Sequence, residues 1–278
     1  MPSTPEANAF PFSWKDWLLE PIRLAEQQRD ASGADEKKNL RALIGLLGGC
    51  VCLLLLRFLF LQDEQSRWLD LAQFLGADSL AKLFQDFFSH PLGRLSFWMF
   101  GCVLCYAVIP MALVRLALGE RPADFGLRGF DFKKTLPWLL LALVVMAPLV
   151  WMASGRPRFL LVYPFYEPAR VSFPAWDFFL WEVLYAFQFL ALELFFRGFL
   201  IHSTIPVIGA WSIPVMVIPY CMIHFHKPFL EAFAAILAGV FLGWLGIKTK
   251  SIFPGAILHI MVAWSMDVLA LSQKGYWV

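Results

Sequence analysis

Charge is scarce in this chain. Asp, Glu, Lys and Arg make up 16% of its 278 residues, against about 25% in a soluble domain. The net charge of +2 is too small to attract nucleic acid. Cysteine is sparse as well. Cys50, Cys52, Cys102, Cys105 and Cys221 all fall in apolar segments, where a thiol behaves as a small hydrophobe. Cys102-x-x-Cys105 has no second pair nearby, so it is read as packing rather than as a redox or zinc motif. The first forty residues lack the apolar run of a signal peptide. No P-loop, Gly-x-Ser-x-Gly, His-Glu-x-x-His or Rossmann glycine pattern occurs. These absences exclude the common nucleotide-dependent, serine-hydrolase and zincin chemistries.

What is abundant is hydrophobic sequence: 59% of the residues, with a mean hydropathy of +0.64. A membrane-spanning helix needs roughly 20 mostly apolar residues. Seven segments qualify: Leu40–Leu61, Ser96–Leu118, Thr135–Ala153, Asp177–His202, Ile205–His224, Phe229–Ile247 and Ser251–Leu271. The expected fold is an all-α polytopic bundle of about seven spans (six to eight) with one or two interfacial helices. One interfacial candidate lies around Ser13–Leu19; the other is Arg67–Phe88, with apolar residues at helical spacing, read as an interfacial helix or a lid. Three regions follow: a polar tail at 1–39, N-terminal spans and loops at 40–175, and a four-helix core at 176–272.

The tail and the Glu120–Lys134 loop are rich in Lys and Arg. The positive-inside rule puts both in the cytoplasm. An odd number of spans would then put the C-terminus outside. The expected setting is a bacterial inner (cell) membrane, with the lipid bilayer as a partner and no nucleic acid.

Within Phe187–Leu200 the sequence holds Glu193 and Arg197. Charge at a helix centre in lipid costs roughly 2.5–3.5 kcal/mol per group on insertion scales. At a spacing of i, i+4 the two can pair on one face. A buried ion pair that only fixes helix packing is the structural alternative. His224 ends the fifth candidate span, after Pro206, Pro214 and Pro219 have disturbed its helix. His259 lies eight residues into the last span, roughly 12 Å below its start. Glu231 opens the sixth, where an acid also suits a helix N-terminus. Glu182 is read as interfacial, and Asp267 as facing either the interface, the favoured reading, or a water-filled mouth. Ala235, Gly239 and Gly243 form a small-residue stripe for close helix packing.

Three motifs together resemble a known family. Glu193-Leu-Phe-Phe-Arg197-Gly198, Tyr220-x-x-x-His224 and Ser251-Ile-Phe-Pro-Gly-Ala-Ile-Leu-His259 are similar to those of the CPBP family, also called Abi. That family comprises CAAX prenyl proteases and bacteriocin-processing intramembrane proteases. The similarity covers roughly residues 176–270, and Asp-Phe-Gly-Leu-Arg within Gly119–Arg128 resembles an upstream family loop. Glu193 matches the second glutamate of the family's Glu-Glu-x-x-x-Arg, and Leu192 stands in place of the first. His259 matches the last motif, but Ala263 replaces its amide or acid. In a divergent branch similar departures accompany residues that match Lys227, Pro228, Glu231 and Asp267.

The resemblance implies an intramembrane endopeptidase acting on a peptide or membrane-protein substrate. Glu193, with Glu231 as the second choice, activates water. His224 and His259 orient it or stabilise the oxyanion, and Arg197 holds the glutamate. The resemblance implies no obligatory cofactor. Two histidines and a carboxylate also make a zinc set with an open fourth position, which is the metal alternative. A non-catalytic chaperone, immunity factor or scaffold is the rival from another class, motivated by Leu192 and Ala263. A transporter is a third reading, though no inverted repeat is visible.

Overall fold

The computed structural model describes residues 14–31, 35–169 and 176–276. Of the expected polar tail, residues 1–13 and 32–34 lie outside this set, as does Ser13 of the amphipathic piece. The described residues are helical, with no strand among them. Six helical runs are long and apolar enough to cross a membrane.

A surface helix, α1 (Trp14–Ala31), leads into α2 (Asp35–Leu55), which ends in a π-helical turn, Leu56–Phe60. Two short amphipathic helices follow, α3 (Ser66–Phe74) and α4 (Asp78–Ser89). They replace the single interfacial helix expected over 67–88, because Gly76 with φ +67° breaks the helix between them. Helix α5 (Pro91–Val103) continues through π-helical turns to Ala117. Helix α6 (Phe132–Ser154) starts where the Asp131 carboxylate accepts the Lys134 N–H at 3.2 Å, an N-cap.

The core begins with α7 (Trp176–Glu193), a π-helical stretch Leu194–Leu200, and α8 (Ile201–Ile208). The chain then turns at Gly209, whose φ of +54° only glycine adopts readily. A shorter helix, α9 (Ser212–Met222), runs back: Tyr220 meets Phe196 edge to face, with ring centroids 5.2 Å apart. The expected fourth and fifth spans are therefore one 47-residue helical run folded at Gly209, its return arm only 11 residues long. Helices α10 (Phe229–Thr249) and α11 (Phe253–Gln273) complete the bundle.

Inside and outside are both apolar. Phe195, Phe196, Phe199 and Leu245 are fully buried, while Leu116, Val144 and Trp151 stand 84%, 71% and 67% exposed. An exposed apolar rim of this extent suits lipid, not water. The chain is an integral membrane protein.

Helix α11 packs on both α6 and α7, and α9 packs on α10. Close approach at particular glycines sets these contacts. A Cβ at Gly198 would sit 2.6 Å from the Phe125 carbonyl oxygen, so this position admits the 119–128 loop. The same loop takes the Ile252 N–H on the Gly126 carbonyl at 3.1 Å, and the Arg128 carbonyl accepts the Ser251 hydroxyl at 2.7 Å. The loop that resembles the family's upstream segment thus fastens the start of α11 beside Gly198. At the turn, Glu26 of α1 accepts the Ala210 N–H at 2.9 Å.

Candidate functional site

Glu193 ends α7 and is fully buried. Arg197, one turn later in the π-helical stretch, is 1% exposed. Its Nη1 lies 2.9 Å from Glu193 Oε1. The contact is an ion pair, not an aligned hydrogen bond: none of the three guanidinium nitrogens makes one. The guanidinium also stacks over the Tyr220 ring, 4.3 Å from its centroid, a favourable position for a desolvated cation. π-Helical turns change which side chains share a face, and they cluster at functional sites.

Helix α11 brings His259 to this pair. Its Nδ1 lies 2.8 Å from Glu193 Oε1, and its Nε2 lies 2.9 Å from the Tyr220 hydroxyl. Phe189 stacks on the imidazole at 5.2 Å. Gly255, one turn earlier on α11, leaves room for the Glu193 carboxylate: a Cβ there would collide with Oε2. Glu193 Oε2 is sealed and has no partner.

His224 follows α9 and is half-buried. Its Nδ1 lies 2.8 Å from the Tyr220 carbonyl, and its ring lies 4.9 Å from the Tyr220 ring. A carbonyl only accepts, so Nδ1 carries the proton and Nε2 keeps its lone pair. Burial pushes the His224 pKa down to about 4, against the opposing effect of the Tyr220 carbonyl. The ring is neutral at pH 7.

The structure therefore unites Glu193, Arg197 and His259 around Tyr220, with His224 packed on the ring of that tyrosine. Glu231 stands apart. Its Oε1 accepts the Tyr163 hydroxyl at 2.7 Å and lies 3.6 Å from Lys227 Nζ. The same hydroxyl accepts from Lys227 Nζ at 2.7 Å. The ammonium also sits over the Tyr163 and Phe165 rings at 4.5 and 4.3 Å. Burial lowers the Lys227 pKa, with Glu231 opposing.

Glu182 and Asp267 are not interfacial. Asp267 is fully buried, and the two carboxyl groups interact directly across α7 and α11 with their four oxygens sealed from solvent. Helical spacing leaves their faces undecided, since either helix can turn a residue to lipid or inward. The Tyr220 hydroxyl and Tyr163 were also missed as polar partners. The only sequence signal for Tyr220 was its place four residues before His224.

Both nitrogens of His259 are engaged, and Glu193 Oε1 faces both Arg197 and His259. Among the described residues no group of three or more His, Cys, Asp or Glu is arranged to hold a metal. The residues do not fit a zinc site in this arrangement.

Neither the curated proteins nor the solved structures include a match to this chain. Glu193, Arg197, Tyr220, His224 and His259 all lie inside residues 174–265, which match the family model described as Type II CAAX prenyl endopeptidase Rce1-like, a protease family and the one the motifs resemble.

Proposed function

We propose that this protein is an intramembrane endopeptidase of the CAAX-protease type, with residues 176–272 as its catalytic unit. The observation that carries the reading is the Glu193–His259 contact buried beside His224. Three families of polar side chain converge where lipid would penalise each alone.

Hydrolysis needs a base for water, a donor for the oxyanion and an acid for the leaving amine. His224 Nε2 has the free lone pair. It takes a proton from water as the water oxygen bonds to the scissile carbonyl carbon. It returns that proton to the amide nitrogen as the C–N bond breaks. The Arg197 guanidinium, whose N–H groups make no hydrogen bond, is the positive donor group at hand for the oxyanion, while His259 and the Tyr220 hydroxyl hold each other beside Glu193. Glu193 holds Arg197 and His259 in place by charge. This mechanism assigns the base to His224 and leaves Glu193 the organising role, because the carboxylate has one sealed oxygen and one doubly engaged. Zinc stays the second choice for the same geometric reason. Helix α1 and the 119–134 loop face the cytoplasm of a bacterial inner membrane in this reading, following the Lys and Arg distribution.

The test is cleavage of a membrane-embedded peptide library by the purified protein in lipid, read by mass spectrometry, for wild type, Glu193→Gln and His224→Gln. Cleavage by wild type that both variants abolish supports the peptidase. Equal cleavage by all three overturns it. A chelator that abolishes activity, with zinc restoring it, would put the metallo-type reading in place of this metal-free mechanism.

One observation favours a non-catalytic scaffold instead. Leu192 and Ala263 are buried in apolar packing where the family carries polar groups. A cellular phenotype that survives both Glu193→Gln and Glu231→Gln would establish that reading.

A further inference from the structure

We propose that Tyr220 is a positioning residue whose hydroxyl occupies His259 Nε2 and so fixes the orientation of this imidazole, with Nδ1 turned to Glu193. The inference rests on the peptidase reading for its consequence, but not for its geometry.

Glu193 pairs with Arg197 at 2.9 Å and meets His259 Nδ1 at 2.8 Å. An ion-paired carboxylate accepts, so Nδ1 carries a proton, and in the neutral ring Nε2 then carries the lone pair. The Tyr220 hydroxyl, 2.9 Å away, is then the donor. Should His259 gain a proton at Nε2, the hydroxyl can rotate and accept. A phenol satisfies the imidazole in both protonation states; carboxylates and ammonium groups serve only one. Nε2 keeps a partner in either state, which lowers the cost of moving a proton in a low-dielectric interior.

The ring that carries this hydroxyl is fixed from several sides. Phe196 meets it edge to face at 5.2 Å, and Arg197 covers its face at 4.3 Å. Gly239 of α10 brings backbone against it: a Cβ there would sit 3.1 Å from Tyr220 Cδ1. Tyr220 is 1% exposed. One turn after His259, Ala263 offers no polar side chain. The latch on Nε2 therefore comes from another helix. It also closes Nε2 to a metal ion and leaves the free imidazole lone pair to His224.

Tyr220→Phe removes the hydroxyl alone. In protein labelled with 15N at histidine, the unprotonated Nε2 of His259 should resonate at a hydrogen-bonded position in wild type. It should move downfield to the free-imidazole position in Tyr220→Phe, while His224 is unmoved. In a cleavage assay kcat should fall about tenfold or more with KM unchanged, because a loosened His259 no longer holds Glu193 and Arg197 in place for the oxyanion. An unmoved resonance overturns the proposal, as does a moved resonance with unchanged kcat. Should Tyr220→Phe not fold, the wild-type resonance decides, and a free-type Nε2 overturns it. If wild type cleaves nothing, the peptidase reading falls while the resonance still tests the latch.

Discussion

His259 Nδ1 lies 2.8 Å from Glu193 Oε1, so one contact joins the last helix of the bundle to the helix that carries the buried ion pair. Glu193 and Arg197 alone would be a local i, i+4 pair. With His259 they become a tertiary unit, and its loss should be felt in both stability and activity.

Removing one member of the pair leaves an uncompensated charge in a dry site. Arg197→Ala should destabilise the protein by about 3–5 kcal/mol. The double variant Glu193→Leu/Arg197→Met should recover most of that stability and none of the activity. Thermal unfolding in detergent checks the first statement and a cleavage assay the second. A double variant less stable than Arg197→Ala would contradict the ion-pair account.

Gly255 is a close-approach position. Gly255→Ala drives a methyl group into Glu193 Oε2, so the carboxylate moves or the helices part. Overpacking of this kind costs about 1–3 kcal/mol, and activity should fall with it. Gly129→Ala is the control: a Cβ there meets nothing within 4 Å, and a change within about 0.5 kcal/mol is expected. Equal melting shifts for the two would argue against the packing described.

His224 should make the protein acid-sensitive. Its folded pKa is about 4, below the ordinary 6.5. Between those values the unfolded chain binds a proton that the folded one refuses, so stability rises with pH. The contribution is fully present above about pH 6.5 and is lost as pH falls towards 4. It amounts to at most about 3 kcal/mol. Comparing unfolding midpoints of wild type and His224→Gln across pH 4–7 reads it out; parallel curves would rule it out.

Glu231 belongs to the Lys227–Tyr163 cluster, not to the Glu193 unit. Glu231→Gln should cost about 1–3 kcal/mol by weakening the support of a buried ammonium, yet keep activity within about tenfold. Glu193→Gln should lower activity by about 10²–10⁴. Rate measurements on both variants decide; the opposite ranking would make Glu231 the working acid.

The helical class and membrane setting were legible in composition and in the length of the apolar runs. So was the Glu193–Arg197 pairing, because i, i+4 neighbours on one helix meet whatever the rest of the fold does. The fifth candidate span was misjudged in length. Hydropathy does not register the turn at Gly209, a matter of one φ angle. Glu182 and Asp267 were placed at the interface because distance along a helix says nothing of what an adjacent helix presents at that depth.

By itself the sequence determined that polar residues lie deep in apolar helices, since periodicity and hydrophobic length are local properties of the chain. Only the tertiary structure decided which of them meet. Bringing His259 to Glu193 and Tyr220 to His259 depends on the depth and rotation of separate helices. Those are set by the turn at Gly209 and by contacts between residues far apart in the chain, the close approaches at Gly198, Gly239 and Gly255, the first of them to the 119–128 loop.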